Sequence, residues 1–292
     1  MRPDRLLFSR KEASSLPENV GYCGCGRRFH KFIGVDYSGA GSPDKPQPGL
    51  AVALASGSAS PRVIVGPHRG GRWSRLRLHQ WLTAFLNDHP GTIAGLDLAL
   101  GMPWGWMRNR GLRSWSAVLR WALADLRTDR RTVREARAHL QFPPAAGGWR
   151  LCDRRAPGAK SLFHFDVPGS VASSTLAGLP WIARLRKQRL GIHFWPFDGW
   201  EPPPGRNVVA EVFPSLWRCV PSPPGLGVHE RDAWLISRWL QHTCTTGRIG
   251  AFFHPDLSPA QRAIARREGW ILGCAYSSFQ KLFPESALGG ND

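Results

Sequence analysis

Long hydrophobic runs are missing from this 292-residue chain. No stretch of about 18 apolar residues occurs, so no membrane span and no membrane partner are expected. Met1 to Arg10 carry charge but no extended apolar segment, which argues against a secretory signal and for a cytoplasmic protein. Cysteine is sparse: six residues, at 23, 25, 152, 219, 244 and 274. Only Cys23 and Cys25 are close. No C-x-x-C or H-x-x-x-H pair accompanies them, so free thiols are expected rather than a zinc ribbon or a redox pair. The absence of a G-x-S-x-G elbow argues against serine hydrolysis. Acidic residues are few as well, 21 against 39 basic, which leaves a formal charge of +18 and a pI near 11.

That excess favours a polyanionic partner such as DNA or RNA. Nearly all of it is arginine, a bias that genome base composition alone can produce. Its placement is more informative. Residues 104–190 hold 17 Lys and Arg against 5 Asp and Glu, a net of +12. About two-thirds of the excess therefore sits in under a third of the chain.

The pattern along the chain predicts a mixed α/β domain. Residues 1–30 lack periodicity and are expected to form a disordered basic extension. Runs at 31–36, 50–55 and 62–65 read as a three-stranded meander. A helix is expected over 73–87, followed by a strand at 92–97; a helical crossover of this kind implies a parallel pair. Residues 104–200 form a helical and loop insertion, with helices over 115–126, 130–140 and 176–190 and a short strand over 192–195. Pro180 is placed in the first turns of the third of these helices. A strand at 207–213, helices over 230–242 and 258–268 and a last strand at 270–275 complete the domain. Residues 276–292 form a tail. The expected sheet has five strands.

Three of these strands carry a carboxylate near their ends: Asp36, Asp97 and Glu211. A carboxylate in an apolar strand is costly unless it is paired or holds a metal. Acids collected at the ends of parallel strands suit oxygen-loving divalent cations and phosphoryl chemistry. Asp232 opens the helix that follows. Alone it reads as a helix-dipole residue; its place after three strand acids gives it more weight.

This order of acids resembles the ribonuclease-H-like superfamily of metal-dependent nucleases and resolvases. It is more closely similar to a bacterial and archaeal family of unknown function described as predicted RNase-H-like nucleases. The residues that carry the resemblance are Gly34-Val35-Asp36-Tyr37-Ser38, Gly95-Leu96-Asp97 through Pro103, Ala210-Glu211-Val212-Phe213-Pro214-Ser215 and Asp232-Ala233. Arg150 to Asp153, Ser161, the run 169–180 and the run 191–200 add to it. It covers roughly residues 31–275. The resemblance implies an RNase-H-like fold and nuclease activity, with Asp36, Asp97, Glu211 and Asp232 as catalytic acids holding two Mg²⁺ or Mn²⁺ ions. All four acids should then converge: an acid placed far from the other three would leave the site, and Asp36 and Glu211 on opposite faces of the sheet would collapse the nuclease reading. Asp97 departs from the resolvase branch, which has a glutamate there; an aspartate reaches less far.

Arg150, Arg154, Arg155 and Lys160 are expected to contact phosphates from a Gly/Pro-flanked loop, although a merely solvated loop fits the same pattern. Trp104 and Trp106 are the candidates for stacking on bases; most of the other tryptophans belong to the core. The turn at Ser38 to Gly41 could cradle a phosphate or simply end a strand. His229 reads as a helix-start surface residue or as a proton shuttle beside Asp232. Two other functions remain open. One is nucleotide binding and phosphotransfer of the actin and sugar-kinase type, but those chains carry two copies of the domain and no internal repeat is visible here. The other is a non-catalytic nucleic-acid or protein adaptor on the same scaffold.

Overall fold

A computed structural model of the protein describes residues 29–165 and 167–274. Nearly all of the expected N-terminal extension, Cys23 and Cys25, and the C-terminal tail lie outside the described residues. In chain order the elements are β1 (Lys31–Asp36), β2 (Ala51–Ser56), β3 (Ala59–Val63), α1 (Arg75–Asp88), β4 (Thr92–Asp97), α2 (Trp104–Asn109), α3 (Trp115–Trp121) and α4 (Val133–His139). They continue with α5 (Ala172–Lys187), β5 (His193–Trp195), β6 (Val208–Glu211), α6 (Val228–Thr245), α7 (Ile249–Phe253) and α8 (Pro259–Glu268).

The strands form one mixed sheet in the order β3-β2-β1-β4-β6-β5. β1, β2 and β3 pair antiparallel, β2 and β3 through a tight turn at residues 57–58. β1, β4, β6 and β5 run parallel. The sheet thus has six strands where five were expected, because residues 193–195, at the end of the insertion, pair onto the outer edge of β6. The expected strand at 270–275 is reduced to one bridge between Ile271 and Glu211.

Local chemistry explains most of the helix ends. Ser74 caps α1 by accepting the Arg77 N–H, and Ser258 caps α8, with Pro259 in the first turn where its missing N–H costs nothing. α3 runs on into a π-helical turn, Ala122–Leu126. Pro180 lies in the interior of α5, not in its first turns, because the helix begins at Ala172. Its backbone hydrogen bond is lost, but α5 is buried along most of its length and packing holds it. The short helices α2 and α7 were not anticipated.

Each face of the sheet has its own core. Ile33, Val35, Ala94, Leu96 and Val209 face one side, where Trp106, Trp115, Leu119 and Leu176 of the insertion join them. Phe32, Ile93, Val208, Ala210 and Val212 face the other side, under α6. The insertion therefore shares a core with the sheet. No helix among the described residues is long and apolar enough to cross a membrane.

A candidate acidic site split by the sheet

Asp36 and Asp97 end adjacent parallel strands and are paired in register. Laterally paired residues leave a sheet on the same side, and that side is set by the glycines two residues earlier. A Cβ on Gly34 would lie 2.1 Å from the Ala233 carbonyl oxygen, and one on Gly95 would lie 2.7 Å from the Ile236 side chain. Only glycine lets α6 sit so close over β1 and β4. Ser237 Oγ fastens the contact by donating to the Phe32 carbonyl at 2.8 Å. α6 runs back along β1, so its first turns, with His229 and Asp232, lie at the strand ends that carry Asp36 and Asp97.

Asp36 is 8% exposed. Its Oδ2 lies 2.7 Å from His229 Nδ1, a side chain that is 46% exposed at the rim. Burial pushes the Asp36 carboxyl above its ordinary value, and the hydrogen bond with His229 opposes that shift. The same bond raises His229, against its own partial burial. Asp232 is held up by burial and drawn down by Arg218, whose guanidinium stands 4.0 Å away. Asp97 is the most perturbed of the three. Burial raises it well above the carboxylate range, and the charges of Asp36, Asp232 and Glu211 add to the effect. Its Oδ1 is buried without a hydrogen-bond partner. An orphaned carboxylate oxygen among like charges fits a cation ligand, and three oxygen-only side chains are the donor set that Mg²⁺ or Mn²⁺ takes.

Glu211 behaves differently. The register sets it level with Leu96, not Asp97, so strand alternation sends its side chain to the opposite face from Asp36 and Asp97. There it meets Arg150, which is fully buried. The guanidinium donates from Nη1 to Glu211 Oε2 at 2.6 Å and from Nη2 to Oε1 at 2.5 Å. It also donates from Nε to Asp153 Oδ2 at 3.1 Å and from Nη2 to Oδ1 at 2.8 Å. Burial alone would lower the Arg150 pKa; the carboxylates of Asp153 and Glu211 more than reverse this and hold it well above its ordinary value. Glu211 Oε2 further accepts the Leu100 N–H at 3.2 Å. Glu268 accepts the N–H groups of Leu151 and Trp104, tying α8 to the insertion.

The expected convergence of all four acids is therefore not found: Glu211 is turned to Arg150, on the side away from Asp36, and Asp36, Asp97 and Asp232 remain electrostatic neighbours at the strand ends. Glu211 comes near Asp97 only around the end of the sheet, where a cavity of about 20 Å³ is lined by Asp97, Glu211, Asp153, Arg150 and Lys160 among others. That volume holds about one water-sized occupant. Cys152 Sγ and carboxylate oxygens of Asp153 and Glu211 lie within 4.8 Å of one another, the tightest ligand-like group among the described residues. Asp36, Asp97 and Asp232 stand further apart, with Asp36 turned to His229 and Asp232 drawn towards Arg218.

The expected nucleic-acid contacts divide in the same way. Arg150 is no phosphate contact: its guanidinium is enclosed by carboxylates. Trp106 is buried, packed against Trp121, Phe142 and Phe163, and cannot stack on bases. Trp104 is half-buried, with the Arg267 guanidinium 4.9 Å from its ring. Arg155 donates to the Asp256 carbonyl at 3.3 Å, and Lys160 donates to the Pro168 carbonyl. Arg154 is exposed. So are Arg108, Arg113, Arg120, Arg127, Arg130 and Arg134. Arg110 and Arg120 line an open groove of about 630 Å³ on the insertion.

Sequence reasoning gave no role to Glu268. It placed His229 beside Asp232 without finding its bond to Asp36. The spacing His229-x-x-Asp232, one helical turn, was the available signal. No protein-family model, curated protein or solved structure matches the chain.

Proposed function

We propose that this protein is a metal-dependent nuclease of ribonuclease-H-like architecture that hydrolyses phosphodiester bonds of DNA or RNA. The four-acid form of this reading does not survive the turn of Glu211 to Arg150; the three-acid form rests on the electrostatic coupling of Asp36, Asp97 and Asp232 at the ends of two parallel strands and a helix, with a buried Asp97 oxygen left without a partner. The sheet supports it: three antiparallel strands followed by parallel ones is the mixed α/β arrangement read from the sequence, widened here by one edge strand.

Asp36, Asp97 and Asp232 would hold Mg²⁺ or Mn²⁺. The bound cation would supply positive charge to the attacking water and to the departing 3′ oxygen. His229 holds the Asp36 carboxylate in place through its 2.7 Å contact. Glu211, engaged on both oxygens by Arg150, holds the segment after β4 through Leu100 and so steadies Asp97. The exposed arginines of the insertion would hold a polyanion on the chain.

The test incubates the chain with single-stranded, duplex and branched DNA and RNA in Mg²⁺ or Mn²⁺. Cleavage is expected with metal, and Asp36→Asn should reduce it on the order of a thousandfold while nucleic-acid binding persists. Cleavage that survives in Asp36→Asn would place the activity elsewhere. A folded, metal-loaded chain that binds nucleic acid but cuts none of these substrates would favour the adaptor function.

A further inference from the structure

We infer that Arg150 serves as a fixed internal cation in the ligand group formed by Cys152, Asp153 and Glu211, so that the chain takes up one divalent ion and not two. The inference rests on the nuclease reading for the site of the one ion. It departs from the two-ion arrangement that four converging acids would imply.

The geometry is that of an occupied cation site. Donor atoms of Cys152, Asp153 and Glu211 lie within 4.8 Å of one another, close enough to share an ion. The oxygens that would bind it are already taken. Four guanidinium contacts of 2.5 to 3.1 Å reach both oxygens of Asp153 and both of Glu211. The guanidinium cannot leave its place by a simple side-chain swing into water, since Arg150 is 0% exposed. Its backbone is anchored as well: the Arg150 N–H donates to Asp153 Oδ2 at 2.9 Å. Cys152 does not act as a thiolate; its Sγ–H points to Asp153 Oδ1 at 3.8 Å.

Charge leads to the same conclusion. The guanidinium cancels one of the two charges on Asp153 and Glu211, and the neighbouring Glu268 carboxylate is already held by the Leu151 and Trp104 N–H groups, so a divalent ion entering here would stand against a guanidinium bound to all four Asp153 and Glu211 oxygens. The adjoining cavity of about 20 Å³ is lined by a second cationic side chain, Lys160. It suits a water better than a metal. On the other face Asp36 is paired with His229 and Asp232 with Arg218, both at the rim, and no guanidinium is hydrogen-bonded to Asp97.

The experiment counts ions. Metal-free full-length chain is titrated with Mn²⁺, and free Mn²⁺ is followed by electron paramagnetic resonance. One bound Mn²⁺ per chain is expected, and two would overturn the inference while leaving the nuclease reading in place. No bound Mn²⁺ would sink the nuclease reading. The second arm, which does not depend on that reading, uses Arg150→Met with Co²⁺. Removing the guanidinium should open the group to an ion and recruit Cys152 as thiolate. A near-ultraviolet thiolate-to-cobalt absorption band should appear in Arg150→Met, and be absent from wild type and from Arg150→Met combined with Cys152→Ser. A folded Arg150→Met without the band would overturn the inference. Folding that depends on Co²⁺ would support it, because the ion then replaces the guanidinium. A variant unfolded with and without Co²⁺ would count against it, as no cation could then stand in for Arg150.

Discussion

The two faces of the sheet handle buried carboxylates in opposite ways. On one face Glu211 and Asp153 are neutralised from within, by a guanidinium that the chain carries to them from 61 residues before Glu211. On the other, Asp36, Asp97 and Asp232 are electrostatically coupled, with a rim histidine on Asp36 and an exposed arginine near Asp232. The first arrangement is complete without a ligand. The second is not: Asp97 keeps an oxygen buried and unpartnered. Acids that stabilise a fold and acids that await a cation are told apart here by their partners, not by residue type.

The largest expected contrast comes from breaking each side in turn. Asp97→Asn should lower cleavage on the order of a thousandfold or more, with folding preserved or slightly improved as repulsion among the acids is relieved. Arg150→Met, measured without added metal, should instead destabilise the fold by about 3–5 kcal/mol, because it leaves two buried carboxylates unpaired. Chemical denaturation of both variants beside an activity assay reads the difference. Comparable stability losses would erase the distinction between the faces.

A smaller effect should appear with pH. The folded-state pKa of Asp97 is raised, by burial first and then by its acidic neighbours. A raised carboxyl contributes stability that is present below its unfolded value and lost as pH rises through its folded one. The metal-free chain should therefore lose stability as pH climbs above the ordinary carboxylate range, and Asp97→Asn should flatten that decline. Thermal melts across pH check this. Mn²⁺ should restore wild type at neutral pH by mass action. A decline of the same slope in Asp97→Asn would assign the pH dependence to other groups.

The smallest effect concerns the surface. Reversing the charge of Arg120 or Arg154, both exposed, should weaken nucleic-acid binding and shallow its salt dependence by about one unit of slope each. Arg150→Lys, which keeps a buried charge, should leave that slope unchanged. Binding measured over a range of salt would show whether Arg150 has been read correctly as interior.

Much of this contrast was hidden in the sequence. The strands at 31–36 and 92–97 were legible, because apolar runs ending at Asp36 and Asp97 and broken by glycine or proline have few other readings. So was the helix carrying Asp232, through its apolar spacing. What a single sequence does not carry is register. Whether Glu211 lies level with Leu96 or with Asp97 is a one-residue matter that flips the side chain to the other face. Arg150 was read as a surface contact because arginines are mostly exposed and its neighbours Arg154 and Arg155 lie in the same loop. Its burial depends on two carboxylates, one of them distant in sequence. Trp106 was misplaced for a related reason: the aromatic cluster that buries it is drawn from residues 121, 142 and 163.

The most direct test of the divided site is Mn²⁺ affinity in two variants that each remove one negative charge without changing shape. By calorimetric titration, Asp97→Asn should weaken binding by more than about 100-fold, beyond the loss expected for a residue that only supports a ligand. Glu211→Gln, confirmed as folded, should stay within about tenfold of wild type. Equal losses in the two variants, or a greater loss in Glu211→Gln, would contradict the assignment of the metal to Asp36, Asp97 and Asp232.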